Sequence, residues 1–379
     1  MLAYVLSILC GALLGITISL VGIRKNFNTL REAITKRSTP QKVSVIIASR
    51  NEEDVIEETI RSVARSATTE AEIIVVDASN DRTPEILARL QKQIANLLVV
   101  PDPERTGKAT ALNLALSYAT GDIVLILDAD ARLDSEFFHF YSSLVAHPDN
   151  PVVFADYVSY NRRRIPVIFQ EVFSAISKSF FYSGIFGPPT FMSSGLFIQR
   201  DVLNRVGYFD VNTLVDDFFL ANELAKLKIY AKFVRGPRLM IQYAPGILEF
   251  FRQCLRIYTG LIREIFKRIG KGELSYLGAV ILLGSIIYLP QIIVILDMVI
   301  GRWELTPRVL PGFFSSFYFA TLVSYVFEGP PFHEAIMNGL IGIPCAYLWV
   351  QIVTFISFFK ALSRRQNWYK TPREKVGLT

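Results

Sequence analysis

Two carboxylates set two residues apart, Asp128-Ala129-Asp130, are the strongest chemical signal in this chain. At the end of an extended strand, residues i and i+2 project to one side. A pair converging there suits a hard divalent cation that bridges a diphosphate. Two other polar segments follow apolar runs in the same way, Ser49-Arg50-Asn51-Glu52 and Asp77-Ala-Ser-Asn-Asp81. Acids in three such places make a poor bare phosphate site and a good site for a metal and a ribose. Strand-end aspartates also cap helices and shape turns, and a lone Asp-x-Asp leaves both readings open.

Rival chemistries fail on the residues themselves. The segment Glu104-Arg-Thr-Gly107-Lys108-Ala109 has the outline of a phosphate loop. Asp102, however, stands where its first glycine belongs, and Ala109 where Ser or Thr belongs. No GxGxxG follows the first apolar run. His139, His147 and His333 do not cluster, which argues against a histidine metal site or a Ser-His-Asp triad. Cys10, Cys254 and Cys345 lie far apart without a CxxC, so neither a disulfide framework nor a zinc site is supported.

The elements that must position the acids read as alternating strands and helices. Residues 43–49 (VSVIIAS), 72–77 (EIIVVD), 97–100 and 123–128 (IVLILD) are short β-branched runs of the kind buried on both faces of a sheet. Asn51 is placed to cap a following helix whose first turn holds Glu52, Glu53 and Asp54. Thr83-Pro84 opens a second helix, and a third is expected from about Lys108 to Tyr118. Repetition at these lengths implies a mostly parallel sheet, an α/β fold of Rossmann-like style, with ligands beyond the carboxyl ends of the strands.

Composition places this domain in a membrane protein. Of the 379 residues, 51% are hydrophobic and 20% charged, too apolar for a disordered chain or an ordinary soluble one. The length suits one medium domain plus membrane helices, or two domains. A net charge of +6, from 40 Lys+Arg against 34 Asp+Glu, points to cytoplasmic flanks facing anionic lipid and not to nucleic acid. Residues 1–23 carry no charge and read as an anchor, because the basic residues Arg24, Lys25, Arg31, Lys36 and Arg37 follow it; a signal peptide would put them first. A basic linker (24–41) then leads to the α/β domain (42–245), expected in the cytoplasm of a protein integral to the cell membrane.

Further apolar stretches are 276–300, 309–327 and 335–360, before a basic tail at 361–379. The tail's positive charge favours an even number of full C-terminal spans. That assigns 309–327 an interfacial or re-entrant path, with Pro311 and Gly312 weakening its start as a helix. Two stretches, 165–188 and 246–271, mix aromatic and apolar residues in the manner of helices lying in the headgroup plane, the second with many basic residues. Arg162-Arg163-Arg164 reads as an ordinary cytoplasmic basic cluster.

With these residues laid out, the chain resembles the membrane-anchored family 2 glycosyltransferases of GT-A fold. Six blocks carry the resemblance in order: VSVIIASRNEE (43–53), VDASNDRT (76–83), GKATALNLALSYATGDIVLILDADA (107–131), FMSSGLFIQRDVLNRVGYFD (191–210), LVDDFFLANEL (214–224) and Gln253-Cys-Leu-Arg256-Ile257, similar to the family's QxxRW. The tail Trp368-Tyr-Lys-Thr-Pro-Arg373 is similar to a basic closing element of membrane members.

The resemblance implies an inverting transfer from a UDP- or GDP-sugar to a lipid or polysaccharide acceptor at the bilayer, with Mg2+ or Mn2+. Asp77 would hydrogen-bond the base near Asn51 and Glu52. Lys108 would lie near the nucleotide or its phosphates. Asp128 would face the ribose and metal, and Asp130 would be the direct metal ligand. Asp217, beside Asp216, would be the general base, one acid of the pair being buried and the other solvated; the plain alternative is that one of them caps the following helix. Gln253 and Arg256 would close over the diphosphate.

Two departures bear on the acceptor. The usual Glu-Asp is Asp216-Asp217 here, and the Trp of QxxRW is Ile257, which cannot stack on a sugar, although Tyr258 adjoins it. Ile257 favours a single transfer to a lipid over a processive polysaccharide synthase. From another class, the chain would be an inert nucleotide-binding membrane scaffold or transport subunit, against which the intact set Asp77, Asp128, Asp130 and Asp217 argues.

Overall fold

A computed structural model describes residues 2–39, 41–67, 71–105, 107–161, 164–185, 189–211, 213, 215–270, 290, 292–301, 303–363 and 372–373. It divides into two units: residues 26–163, 188–249 and 371–379 form one, and residues 1–25, 164–187 and 250–370 the other.

The first unit is built on a seven-stranded sheet in the order β3-β2-β1-β4-β6-β5-β7. Its strands are β1 (Val43–Ser49), β2 (Glu72–Asp77), β3 (Leu97–Pro101), β4 (Ile123–Asp128), β5 (Val152–Ser159), β6 (Leu196–Gln199) and β7 (Lys232–Ile241). The apolar runs expected to be strands are β1 to β4, all paired in parallel. Ile46, Ile47, Ile73, Leu125 and Ile126 are buried completely between helices on both faces, as an all-parallel region requires. The crossovers are α2 (Ile56–Ser66), α3 (Thr83–Gln91) and α4 (Lys108–Tyr118). Pro84 falls in the first turn of α3, where its missing N–H costs nothing. Only β6 runs antiparallel to its neighbours, and β5 pairs in parallel with β7 across an irregularity between Ala155 and Tyr157. Helix α5 (Phe137–Val145) packs Phe137, Phe138 and Tyr141 on Phe197 of β6. The buried Tyr141 hydroxyl donates to the carbonyls of Val234 and Pro237 where β7 bends.

Register delivers the site. Ser49 stands opposite Asp77, and Ala48 opposite Asp128, so the polar ends of β1, β2 and β4 share one edge of the sheet.

One local expectation is corrected here. Asn51 does not cap α2, which begins at Ile56 behind Val55 with no side-chain cap. Asn51 instead adopts φ 56°, a left-handed turn that Asn tolerates better than most residues.

The second unit holds the apolar helices. Among the described residues, three helices are long and apolar enough to cross a membrane: Leu2–Thr35, Leu305–Phe327 and Phe332–Leu362. Helix α1 (Leu2–Thr35) contributes its residues 2–25 to this unit. Gly11, Gly15, Ser19 and Gly22 form one stripe on it. A β-carbon on Gly11 would collide with the Gly312 carbonyl, and one on Gly15 with the Ser316 carbonyl. The Ser19 hydroxyl donates to the Ala320 carbonyl at 3.0 Å, and Ser315 donates to the Ile8 carbonyl at 2.8 Å. Small residues that admit a neighbouring backbone, with hydroxyls bonding across, are how helices associate where apolar burial gives no advantage.

The expectation that Pro311 and Gly312 weaken the start of a helix is corrected here. Pro311 and Gly312 lie inside a continuous 23-residue helix, Leu305–Phe327, and Gly312 is a point of close approach to Ser7 rather than a break. Helix α6 (Ile165–Ile176) runs into a π-turn at Ser177–Phe181, whose buried Lys178 pairs with Glu328 at 2.9 Å. Helix α9 (Ile247–Gly270) sets Phe250 flat against Trp349, ring centroids 5.4 Å apart. Of the expected 276–300 segment, residues 276–289 and 291 lie outside the described residues, as do Arg162, Arg163 and most of the tail.

Gly15→Leu should therefore lower the stability of the detergent-purified protein by about 1–3 kcal/mol through overpacking, read from thermal or denaturant unfolding. Leu14→Val, at an exposed position one residue away, should leave the midpoint unchanged.

Candidate functional site at the carboxyl edge of the sheet

The loops after β1 and β2 are stitched together by short polar bonds. The Asn51 N–H donates to the Ser79 hydroxyl at 2.7 Å, and the Asn80 N–H donates to the Asn51 side-chain oxygen at 2.9 Å. Ser79 in turn donates to Asp77 at 2.6 Å. The Glu52 N–H donates to the Thr83 hydroxyl at 2.9 Å. Burial pushes the Asp77 carboxyl above its ordinary range, against the pull of the Ser79 and Ser49 hydroxyls. Asn51, Glu52 and Asp77 thus share one wall, held by the serine and threonine of the DASNDRT segment.

Lys108 opens α4 behind Gly107, whose φ of 110° favours glycine. Its ammonium donates to Asp128 Oδ1 at 2.8 Å and to the Ser193 hydroxyl at 2.8 Å, and lies 3.6 Å from Asp216 Oδ2. Burial pulls its pKa down, but the charges of Asp128 and Asp216 outweigh burial and hold it above the ordinary lysine value. The Asp128 N–H donates to the Ser194 hydroxyl at 3.1 Å.

Asp216 and Asp217 occupy the first turn of α8 (Asp216–Lys226), behind Val215. Neither acid is the cap residue, so the plain capping alternative does not hold. The division into one buried and one solvated acid does not hold either, since both are half-buried. They differ in partner: Asp216 faces Lys108, while Asp217 Oδ1 accepts the Phe218 N–H at 2.8 Å. Negative charge in a first helical turn is favoured by the aligned backbone dipoles.

Asp130 is 3% exposed. Its Oδ2 accepts the Gln242 N–H at 3.1 Å and lies 3.3 Å from Arg373 Nη2, while Arg373 Nη1 donates to the Gln242 carbonyl at 2.9 Å. Tyr160, covered by the Arg132 guanidinium at 4.1 Å, donates to the Asp130 carbonyl at 3.1 Å. Burial and the nearby Asp128 charge push the Asp130 carboxyl up, against Arg373. Arg373, in the field of Asp130, Glu52 and Asp128, is held above its ordinary value despite burial. Lys108 and Arg373, two cations, face the four carboxylates of Asp128, Asp216, Asp130 and Glu52, which leaves an excess of negative charge.

That excess and the hard oxygen donors of Asp128 and Asp130 fit a Mg2+- or Mn2+-type ion. Among the described residues, no three His, Cys, Asp or Glu side chains form a cage by themselves. An ion of this type needs none, being held by one or two carboxylates plus substrate phosphates.

Gln253 and Arg256 lie on α9, in the other unit. Sequence reasoning assigned no role to Ser79, Ser193, Ser194, Asn113 or Arg373, although each falls inside a quoted block. Gln242 contributes its backbone N–H and carbonyl, which residue type does not signal. Asn113, near the middle of α4, clamps Phe209: its amide donates to the Phe209 carbonyl at 2.9 Å and its oxygen accepts the Phe209 N–H at 3.1 Å.

Residues 44–202 match the family described as Glycosyl transferase family 2. The chain is similar to a poly-beta-1,6-N-acetyl-D-glucosamine synthase of Staphylococcus epidermidis, 25% identical over 92% of this chain and 90% of that one. It is also similar to the beta-monoglucosyldiacylglycerol synthase of Trichormus variabilis, 26% identical over 48% of this chain and 41% of that one. Among solved structures, it resembles the mannosyltransferase PcManGT from Pyrobaculum calidifontis in complex with GDP-Man and Mn2+. The TM-score is 0.53 at 19% identity, covering 94% of this chain and 100% of that one; at that identity the likeness concerns the fold.

Removing the clamp in Asn113→Ala should cost about 1–3 kcal/mol, because both backbone groups of the buried Phe209 lose their partner. Asn113→Asp should also lose stability, since its carboxylate still accepts from the Phe209 N–H but sets a charged oxygen against the Phe209 carbonyl. Denaturant unfolding of the purified protein measures both.

Proposed function

Because the chain belongs to glycosyltransferase family 2 and so takes its sugar from a nucleotide sugar, we propose an inverting, divalent-metal-dependent transfer to a membrane-borne lipid. The observation that carries this reading is the gathering of Asp77, Lys108, Asp128, Asp130, Asp216 and Asp217 in the α/β unit, around the carboxyl edge of its sheet. Asp77 takes the nucleobase, beside Asn51 and Glu52. The diphosphate of a UDP- or GDP-sugar lies at the start of α4, where Lys108 and the helix N-terminus favour an anion. Asp130 would hold Mg2+ or Mn2+ with help from Asp128, and that ion would supply positive charge against the charge that develops on the diphosphate.

Asp217 acts on the acceptor. Its carboxylate takes the proton of the acceptor hydroxyl as that oxygen bonds to the anomeric carbon. The bond from that carbon to the diphosphate oxygen breaks on the opposite face, and the diphosphate leaves with the electron pair. Lys108 keeps Asp216 engaged at 3.6 Å, which leaves the neighbouring acid to serve as base. The basic residues after the first apolar stretch support a cytoplasmic α/β unit.

A lipid acceptor is supported by the three long apolar helices, by Ile257 in place of a stacking aromatic, and by the similarity to a glucosyldiacylglycerol synthase. One observation favours a second reading, a polysaccharide acceptor: the similarity to the poly-N-acetylglucosamine synthase runs over nearly the whole chain.

Purified protein with Mn2+ or Mg2+, radiolabelled nucleotide sugars and membrane lipid extract tests the reading. Label is expected in the organic phase as one discrete species, whereas a high-mass, glycosidase-sensitive ladder would replace the lipid with a polymer. Asp217→Asn should lower transfer by about 10²–10⁴-fold with donor binding retained; undiminished turnover would remove Asp217 as base.

Asp77 adds a pH signature. Its carboxyl is pushed above the ordinary aspartate value by burial, and the ionised form accepts a hydrogen bond from a base N–H more strongly than the neutral acid does. Nucleotide affinity should be full at neutral pH and fall, on acidification, at a pH above that ordinary value. Calorimetric titrations should show the fall in the native protein and its absence in Asp77→Asn.

A further inference from the structure

Arg373 stands at the place where the reading above puts a divalent ion. Its two terminal nitrogens engage one small feature: Nη2 lies 3.3 Å from Asp130 Oδ2, and Nη1 donates to the carbonyl of Gln242, whose own N–H bonds that same carboxylate oxygen. The side chain is 17% exposed and that of Asp130 is 4% exposed, so water does little to screen the pair. The other carboxylates acting on Arg373 are those of Glu52 and Asp128. Without a cation, Asp130 would be a buried charge offset by backbone N–H groups, those of Gln242 and of Asp130 itself. Two cations cannot share one carboxylate oxygen without repelling each other across a few ångströms.

We propose that Arg373 is the resident cation of the Asp130 site, a tethered competitor that a divalent ion must displace before it can bind. The proposal rests on Asp130 being the metal ligand. Its consequence is that metal affinity is reduced by the fraction of time that Arg373 holds the carboxylate. A site occupied by Arg373 nine-tenths of the time would bind free Mn2+ about tenfold more weakly than the same carboxylates unoccupied. Such a site has part of its negative charge compensated while empty and takes up metal with little affinity until a diphosphate adds its own oxygens.

The test is Mn2+ binding to the full-length protein without nucleotide, followed by electron paramagnetic resonance of the free ion. Arg373→Gln should bind Mn2+ about tenfold more tightly than the native protein, and Arg373→Lys should fall between, since an ammonium keeps the charge but not the planar fork. Unchanged or weaker binding in Arg373→Gln would overturn the proposal. Asp130→Asn separates the two levels: Mn2+ binding that survives it removes Asp130 as ligand and with it the underlying reading. Binding lost in Asp130→Asn but unaltered in Arg373→Gln sinks the competition alone.

A second readout uses the native protein and no variant. A protease that cuts only after arginine needs the Arg373 side chain in its own pocket to cut the Arg373–Glu374 bond, so saturating Mn2+ should speed release of the peptide that begins at Glu374, detected by mass. A cleavage rate indifferent to Mn2+ would count against displacement.

Discussion

Parallel pairing in register is the constraint on which this molecule's chemistry depends. Strands β1, β2 and β4 must run the same way to bury β-branched runs on both faces, and doing so brings the residues that end them to one edge. Ser49 and Asp77 become neighbours there, as do Ala48 and Asp128. The turn after β4 adds Asp130, and α8 adds Asp216 and Asp217. Packing the core well and collecting carboxylates at one place are therefore the same structural act, and the edge inherits mutual repulsion that something must offset.

The offset is local and uneven. Lys108 answers Asp128 and Asp216 with one ammonium, and Arg373 answers Asp130. Both cations are held above their ordinary pKa values by the acids, despite burial. Asp130 is pushed up all the same by burial and by Asp128, so the side chains do not neutralise the edge. A buried carboxylate with incomplete compensation is costly in a site meant only for structure. The same imbalance is useful in a site that must attract a divalent ion and then release it with a diphosphate.

How legible this was in the sequence depends on what kind of signal each residue carries. Strands β1, β2 and β4 and helix α4 have the boundaries read from the sequence, because uninterrupted Ile, Val and Leu between polar turns admit few other structures. Strands β5 and β7 gave no such signal: Asp156 interrupts the first, and Arg235-Gly-Pro-Arg238 the second. Both arginines turn back to Asp156, at 3.7 and 3.5 Å. Asn51 was read by its commonest local habit, helix capping, and the structure spends its side chain on the neighbouring loop instead. The pairing of Arg373 with Asp130 joins residues 243 positions apart, and no local pattern carries such a contact. Proline and glycine misled in one place, at 311–312, because their cost as breakers was weighed without the close helix contact that Gly312 permits.

Helix α4 shows why a short stretch can be so specific in its residue types. Gly107 supplies a backbone angle that side chains resist. Lys108, one residue on, touches the ends of β4 and α8 and the serine before β6. Asn113 grips the backbone of Phe209, in the segment that leads towards α8. Ala109, Ala111, Leu112, Ala115 and Leu116 fill the face turned to the core, and α4 packs against β1 and β2. Each polar residue thus answers to a different element, and the small apolar ones let the helix lie close enough for all of them to reach. A change of length or type at one position would be felt by several parts of the site at once. That shared dependence ties the acid that faces Lys108, the acid that ends β4 and the turn that carries the proposed base into a single arrangement.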